Sequence, residues 1–331
     1  MIGYYVHHQG SGHLARLANL SRHLESPVTG LSSLEAPADW RGDWVSLPLD
    51  DDPPGPGADV DAHGRLHWAP LRHRGYTSRM ATIARWIAAH RPRLMVVDVS
   101  VEVTLLARTL GVPVVVVAMR GDRTDPAHEL AYDVADALLA PWPAAFAEPH
   151  WPGRWTAKTV HTGAFSRFDG PSFDAARARD AVGPSVTCLL GDGGADLPAH
   201  FADQVAEETP DWRWTFCGGP FGPSEVPLPE LLAESAAVVT HAGQNAVAEV
   251  AALRRPAVVV AQPRPHDEQL ATARALRAGA LAVTREVWPA AGDWPELLAD
   301  VVGHGGASWS RWNDLRGAQR AAAALDARAS A

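Results

Sequence analysis

Thr240-His241-Ala242-Gly243-Gln244-Asn245-Ala246-Val247-Ala248-Glu249 decides how this chain folds. The apolar run before it, 236–239, reads as a buried strand, and the Ala-rich run that it opens reads as a helix. A strand that feeds a turn of small residues and then a helix start leaves backbone N–H groups aimed outward, with the positive end of the helix behind them. Such a turn binds phosphate. Asn245 and Glu249 stand four apart, so on a helix they share one face, a turn from each other. A diphosphate at the turn and a ribose one turn further along fit that spacing.

Outward from this stretch, strand-like and helical patterns alternate along the whole chain. Runs at 2–6, 94–97, 112–117 and 135–140 form a first series, and Leu14, Leu17, Leu20 and Leu24 make a helical stripe after the first run. A second series runs through 185–190, 212–217, 236–240 and 256–261. Continuous Val/Leu runs with intervening helices predict parallel sheets covered on both faces. The expected fold is α/β, with two Rossmann-like domains facing an interdomain cleft. The first domain is expected over 1–165, a linker over 166–183 and the second domain over 184–307. Residues 308–331 read as one helix free to pack back on the first domain. Segment 39–77 reads as irregular, rich in Trp and His, and overhanging the cleft, with turn chemistry at 50–57.

Composition narrows the function classes. The 331 residues are 47% hydrophobic and 20% charged, which describes a globular chain. Its net charge of -9 argues against nucleic acid or an anionic membrane surface as the main partner. No apolar run approaches the ~20 residues of a membrane span, and the strand-like start lacks the pattern of a signal peptide. A cytoplasmic protein is expected, with room for peripheral membrane contact. Cys188 and Cys217 make neither a disulfide framework nor a zinc spacing. Lys158 is the only lysine, so there is no Walker-type P-loop. The 13 tryptophans read as packing rather than as an acceptor groove.

Gly10-Ser11-Gly12-His13-Leu14-Ala15 follows the first strand and opens the first helix. It satisfies a dinucleotide fingerprint, with Glu35 near the place of a ribose-binding acid, so an NAD(P) oxidoreductase is one reading. That reading puts a bulky imidazole where pyrophosphate must approach, and it leaves the turn at 240–249 unexplained. The alternative makes His13 a general base at the carboxyl end of a parallel strand. Asp98, at the end of its own strand, is the carboxylate placed to orient it. The bland readings are a backbone-bonded His13 and an Asp98 that caps the next helix. His7 and His8 read as structural and His23 as inert. Asp50–Asp52 and the pair Asp59 and Asp61 resemble metal-binding carboxylates, but Pro and Gly around them indicate solvated loops, and no metal site is expected.

Taken together, the loop 10–14, the stretch 240–249 and Pro263-Arg264-Pro265-His266-Asp267-Glu268-Gln269 resemble the GT-B nucleotide-sugar glycosyltransferases, above all their MurG-like and macrolide- or plant-type inverting branches. The resemblance implies that the second domain holds a nucleoside-diphosphate sugar, a UDP-sugar among the options, as co-substrate and with no cofactor. Gly12, His241, Gly243, Gln244, Asn245 and Ala246 match positions that meet the diphosphate. Glu249 matches the carboxylate that takes the ribose hydroxyls, and Asp267, Glu268 and Gln269 match the donor-sugar segment. Gly191, Gly193 and Gly194 match another loop of the cleft. His13 and Asp98 match the base and its supporting aspartate. Gln244 stands where aromatic or small residues are often found, and Ala246 where Ser or Thr often binds phosphate. The implied acceptor is a small molecule or lipid-linked. The loop Gly10–Arg16 also looks like that of PseG-type nucleotide-sugar hydrolases, which leaves hydrolysis or epimerisation as a rival. A non-catalytic partner subunit is a further one.

Overall fold

The computed structural model describes residues 1–10, 12–191 and 197–331. Among these, seven parallel strands form a first sheet: β1 (Ile2–Val6), β2 (Val28–Ser32), β3 (Asp43–Ser46), β4 (Leu94–Asp98), β5 (Val114–Val117), β6 (Ala137–Ala140) and β7 (Thr159–His161). Their order is β3-β2-β1-β4-β5-β6-β7. Five more strands, β8 (Ser185–Leu189), β9 (Arg213–Cys217), β10 (Ala237–His241), β11 (Ala257–Val260) and β12 (Val283–Arg285), form a second parallel sheet in the order β12-β11-β10-β8-β9. The helices of the first half are α1 (Gly12–Ser21), α2 (Arg74–His90), α3 (Val101–Thr109), α4 (Pro126–Val134) and α5 (Gly153–Thr156). Those of the second are α6 (Asp174–Ala178), α7 (Phe201–Glu208), α8 (Leu228–Glu234), α9 (Gln244–Ala252), α10 (Glu268–Ala278) and α11 (Trp294–His304), and α12 (Gly317–Ser330) closes the chain.

Alternation along each strand divides the core between two faces. Ile2, Tyr4 and Val6 of β1 pack with Leu17 and Leu20 of α1 and with Ala321, Ala322 and Leu325 of α12. Tyr5 points the other way, into the layer that holds Ile83, Trp86 and Ile87 of α2. In the second sheet Val186 and Cys188 meet Phe201, Val205 and Leu298, while Val238 and Val259 share a layer with Val247 and Val250 of α9.

Two local expectations are corrected. Segment 39–77 is not irregular throughout, because Asp43–Ser46 pairs with β2 as an edge strand. Trp44 lies over Gly30, where any Cβ would meet its ring at 2.1 Å, and a strand this short shows no period. The final helix starts at Gly317 rather than Ser308. Before it, a 3-10 turn over Ala307–Arg311 buries Trp309, whose Nε1 donates to Arg255 O at 2.7 Å, and Leu315 breaks the helix at φ 66°. The chain therefore packs on the second half as far as Trp309 and on the first half from Gly317 onward.

The polypeptide crosses between halves twice, after β7 and before α12, and the two crossings are bonded to each other. Ala164 N donates to Trp312 O at 3.0 Å, Asn313 Nδ2 to Asp169 Oδ1 at 2.8 Å, and Arg320 Nε to Thr162 O at 2.7 Å.

Strand order reverses between β1 and β4 in the first sheet and between β8 and β10 in the second. In open α/β sheets the ligand crevice lies at such a reversal, beyond the carboxyl ends of the strands. The loops there carry His13 and Asp98 on one side, and Gly191 and the turn at 242–243 on the other.

Candidate active site

Val6 of β1 and Asp98 of β4 are register partners, so the loop after β1 returns His13, second residue of α1, over the end of β4. His13 Nδ1 lies 2.8 Å from Asp98 Oδ1. The same oxygen accepts from Arg16 Nη1 at 2.5 Å, and Tyr4 OH donates to Oδ2 at 3.3 Å. Asp98 is wholly buried. Burial alone would raise its pKa, but the Arg16 guanidinium and His13 overrule it and hold the carboxyl below its ordinary value. An ionised Asp98 accepts a hydrogen bond from Nδ1–H of His13, which fixes the tautomer with the lone pair on Nε2, the arrangement of an oriented base. Asp98 does not cap α3; Ser100 does, accepting from Val103 N. Between them Val99 sits at φ 63°, an outlier for a β-branched residue that costs about 1–3 kcal/mol. His7 stacks on His8 and meets the His13 ring edge-on at 6.1 Å. Burial, then His13, His8 and Arg79, push His7 down to about 3.

Across the cleft, β10 ends at His241 and Gly243 is the N-cap of α9, without a side-chain cap hydrogen bond and with no acid in the first turn of the helix. Gln244 Oε1 accepts from Arg16 Nη2, and Asn245 Nδ2 donates to Gly12 O at 3.0 Å. A Cβ on Gly12 would stand 2.9 Å from that amide, so glycine permits the approach. Two helix starts, α1 and α9, thus face one another. His241 is buried, its Nδ1 3.3 Å from Val260 O and its ring against Trp288. Ala246 packs on the core. One turn into α9, Glu249 pairs with Arg167 Nε at 2.8 Å. Burial raises the Glu249 pKa and Arg167 opposes the rise.

The donor-sugar segment lies beside this turn. Asp267 is the N-cap of α10 at φ 53°, and Gln269 Oε1 accepts from Gln262 N at 3.0 Å. Glu268 stands 3.9 Å from Arg123 of the first half. Its pKa is raised by burial, which Arg123, Arg16 and His13 oppose. Gly191 is exposed, with no described residue within 4 Å of where a Cβ would stand; Gly193 and Gly194 lie outside the described residues.

Arg16 entered the sequence reading only as the end of the hydrolase-like loop and His266 only within the stretch 263–269, and the other residues named next had no role in it. Arg16 follows His13 by three and so shares its helix face, a signal present in the sequence. Tyr4 and Arg167 carried none. His67, Asp125, His128 and His266 also converge, from segments far apart in the chain.

Residues 226–284 match the family model of the glycosyltransferase family 28 C-terminal domain. No curated protein matches the chain by sequence. Among solved structures, the glycotransferase of kitacinnamycin superposes with a TM-score of 0.66 at 16% identity, covering 99% of this chain and 98% of its own. MurG of Acinetobacter baumannii gives 0.59 at 14% identity, covering 97% and 94%. The spinosyn rhamnosyltransferase SpnG, complexed with thymidine diphosphate, gives 0.63 at 16% identity, covering 100% and 96%. The fold is therefore GT-B, and the family match with this fold supports a glycosyltransferase enzyme.

Proposed function

We propose that the chain catalyses inverting transfer of a sugar from a nucleoside-diphosphate sugar to an acceptor hydroxyl, with His13 as general base. The observation that carries this reading is the Asp98-oriented imidazole facing the uncapped start of α9. His13 Nε2 takes the acceptor proton as the oxygen attacks the anomeric carbon from the face opposite the nucleotide. The bond from that carbon to the diphosphate oxygen breaks, and its electron pair leaves with the diphosphate. That charge falls at the N-terminus of α9, where oriented N–H groups stabilise it, so the step needs no metal there.

Gly12, His241, Gly243, Gln244, Asn245 and Ala246 surround the diphosphate in this reading. The ribose hydroxyls take the place of Arg167 on Glu249, and Asp267, Glu268 and Gln269 meet the sugar. A spinosyn transferase that holds thymidine diphosphate on the same fold supports such a donor. Among the described residues no helix is long and apolar enough to cross a membrane. A cytoplasmic site of action and a small-molecule or lipid-linked acceptor complete the proposal.

Thermal stabilisation by UDP-, dTDP- and GDP-sugars identifies the donor. Glu249→Ala is expected to abolish most of that shift, and an unchanged shift removes the ribose assignment. His13→Ala is expected to lower turnover ~10²–10⁴-fold with donor binding retained. Free sugar released at the same rate with and without acceptors would instead identify a hydrolase.

A further inference from the structure

We propose that His67, Asp125, His128 and His266 form a site for one divalent transition metal of the zinc class, which clasps the two halves and fixes the loop that carries Asp267 and Glu268. One ligand atom from each residue can be chosen so that all lie within 4.8 Å of one another. His67 Nε2 is 3.1 Å from Asp125 Oδ1, and Asp125 Oδ2 is 2.5 Å from His128 Nδ1 and 3.5 Å from His266 Nδ1. Tetrahedral zinc, with bonds near 2.0–2.1 Å, places its ligand atoms about 3.3 Å apart, so these atoms reach that geometry with small side-chain shifts. Three imidazoles and one carboxylate are donors that such ions accept, and the carboxylate offsets part of the charge.

Independent anchors hold the four residues, which is what separates a built site from a chance meeting of histidines. Glu102 Oε1 accepts from His67 N at 2.8 Å and from Trp68 N at 3.0 Å, which pins the His67 loop. Asp125 is the N-cap of α4, with Pro126 behind it, and accepts from His128 N at 3.1 Å. His266 comes from the other half. Its carbonyl accepts from Asp122 N at 2.8 Å, and its backbone is held at φ 62° next to Asp267 at φ 53°. Consecutive left-handed residues other than glycine are strained and persist where the surroundings impose them. Gly121 permits this contact: it lies at φ +93°, and a Cβ there would stand 2.1 Å from His266 O.

One charge opposes a cation. Arg123 Nη1 is 3.4 Å from His128 Nε2, but the same guanidinium donates twice to Arg120 O, at 2.8 and 3.2 Å, and faces Glu268. With His128 bound through Nδ1, its Nε2 carries the proton and Arg123 keeps only those other partners.

The test reads metal binding rather than sugar transfer, so it stands or falls apart from the function proposed above. Full-length protein stripped with a chelator is titrated with Zn²⁺ alone by equilibrium dialysis and thermal melting, and with Co²⁺ for its visible absorption. One ion per chain, a four-coordinate Co²⁺ spectrum and a metal-dependent rise in Tm are expected. His67→Ala and His266→Ala should each weaken binding at least about 100-fold, more than the loss of an outer-sphere partner. His67 is partly exposed, so its variant leaves the core intact. Gly121→Ala keeps all four ligands but pushes the His266 carbonyl away, and should weaken the metal as well. Absence of saturable one-to-one binding, or binding unchanged in both histidine variants, overturns the proposal.

Discussion

Asp98 is wholly buried and offers two carboxylate oxygens to three donors, His13, Arg16 and Tyr4. A buried carboxylate in this position is charge partner and compass at once. Asp98→Asn leaves Arg16 buried without its counter-ion and is expected to destabilise the fold by about 3–5 kcal/mol, read from urea midpoints. His7 gives a different signature. Gln9 N donates to His7 Nδ1 at 3.2 Å, so the folded ring must keep that lone pair. The unfolded chain protonates this histidine below its ordinary 6.5, the folded one only near about 3. In that window the unfolded state binds more protons, so stability falls as pH is lowered, by up to ~1.4 kcal/mol per unit. His7→Asn should remove this part of the slope in denaturation curves run from pH 6.5 to 4, and an unaltered slope would refute the assignment. At this scale the sequence was partly readable. Strand ends and a helix start announced His13 and Asp98 as neighbours, because parallel register brings such positions together. The role of Arg167 was hidden, since a residue in a crossing segment shows no period that says which face it meets.

The N-terminus of α9 has neither a side-chain cap nor an early acid, which is unusual economy for a helix that starts at a cleft. Gly243 has φ −67° and ψ 138°, a conformation open to any residue, and among the described residues the nearest neighbour to a new Cβ is Gln269 Nε2 at 4.0 Å. Gly243→Asp should therefore cap the helix and raise the stability of the unliganded protein by ~0.5–1 kcal/mol. The same carboxylate would repel a diphosphate, so nucleotide-sugar stabilisation should vanish in the same sample. A variant that gains stability and still binds its donor would show that the diphosphate sits elsewhere. Strand and helix identities were readable wherever the runs were continuous, as in the four valines of β5. They failed where packing replaces pattern. β3 is too short to show alternation, and α12 was read too long because the buried Trp309 and Trp312 extend an apolar stripe ahead of Gly317, where the true helix starts.

Across the whole molecule, two sheets with their reversals turned toward one crevice are what the alternating runs implied. Contacts between halves were not implied, because His67, Asp125, His128 and His266 lie far apart in the chain and only the i, i+3 pair Asp125 and His128 is local. Asn313 is fully buried and ties one crossing to the other through Asp169, so Asn313→Ala should cost about 1–3 kcal/mol. Residues at a pivot shift binding and turnover together, and kcat and KM are expected to move in concert in this variant. A change in KM alone would place the pivot elsewhere. The bonded crossings also have a mechanical consequence. Two separate tethers would permit shear between the halves, whereas two tethers stitched at one place act as a single joint, with swing as the easy motion. Opening and closing then form one coordinate, and every contact across the cleft, from Arg16 on Gln244 to Asp122 on His266, becomes a catch on the same door.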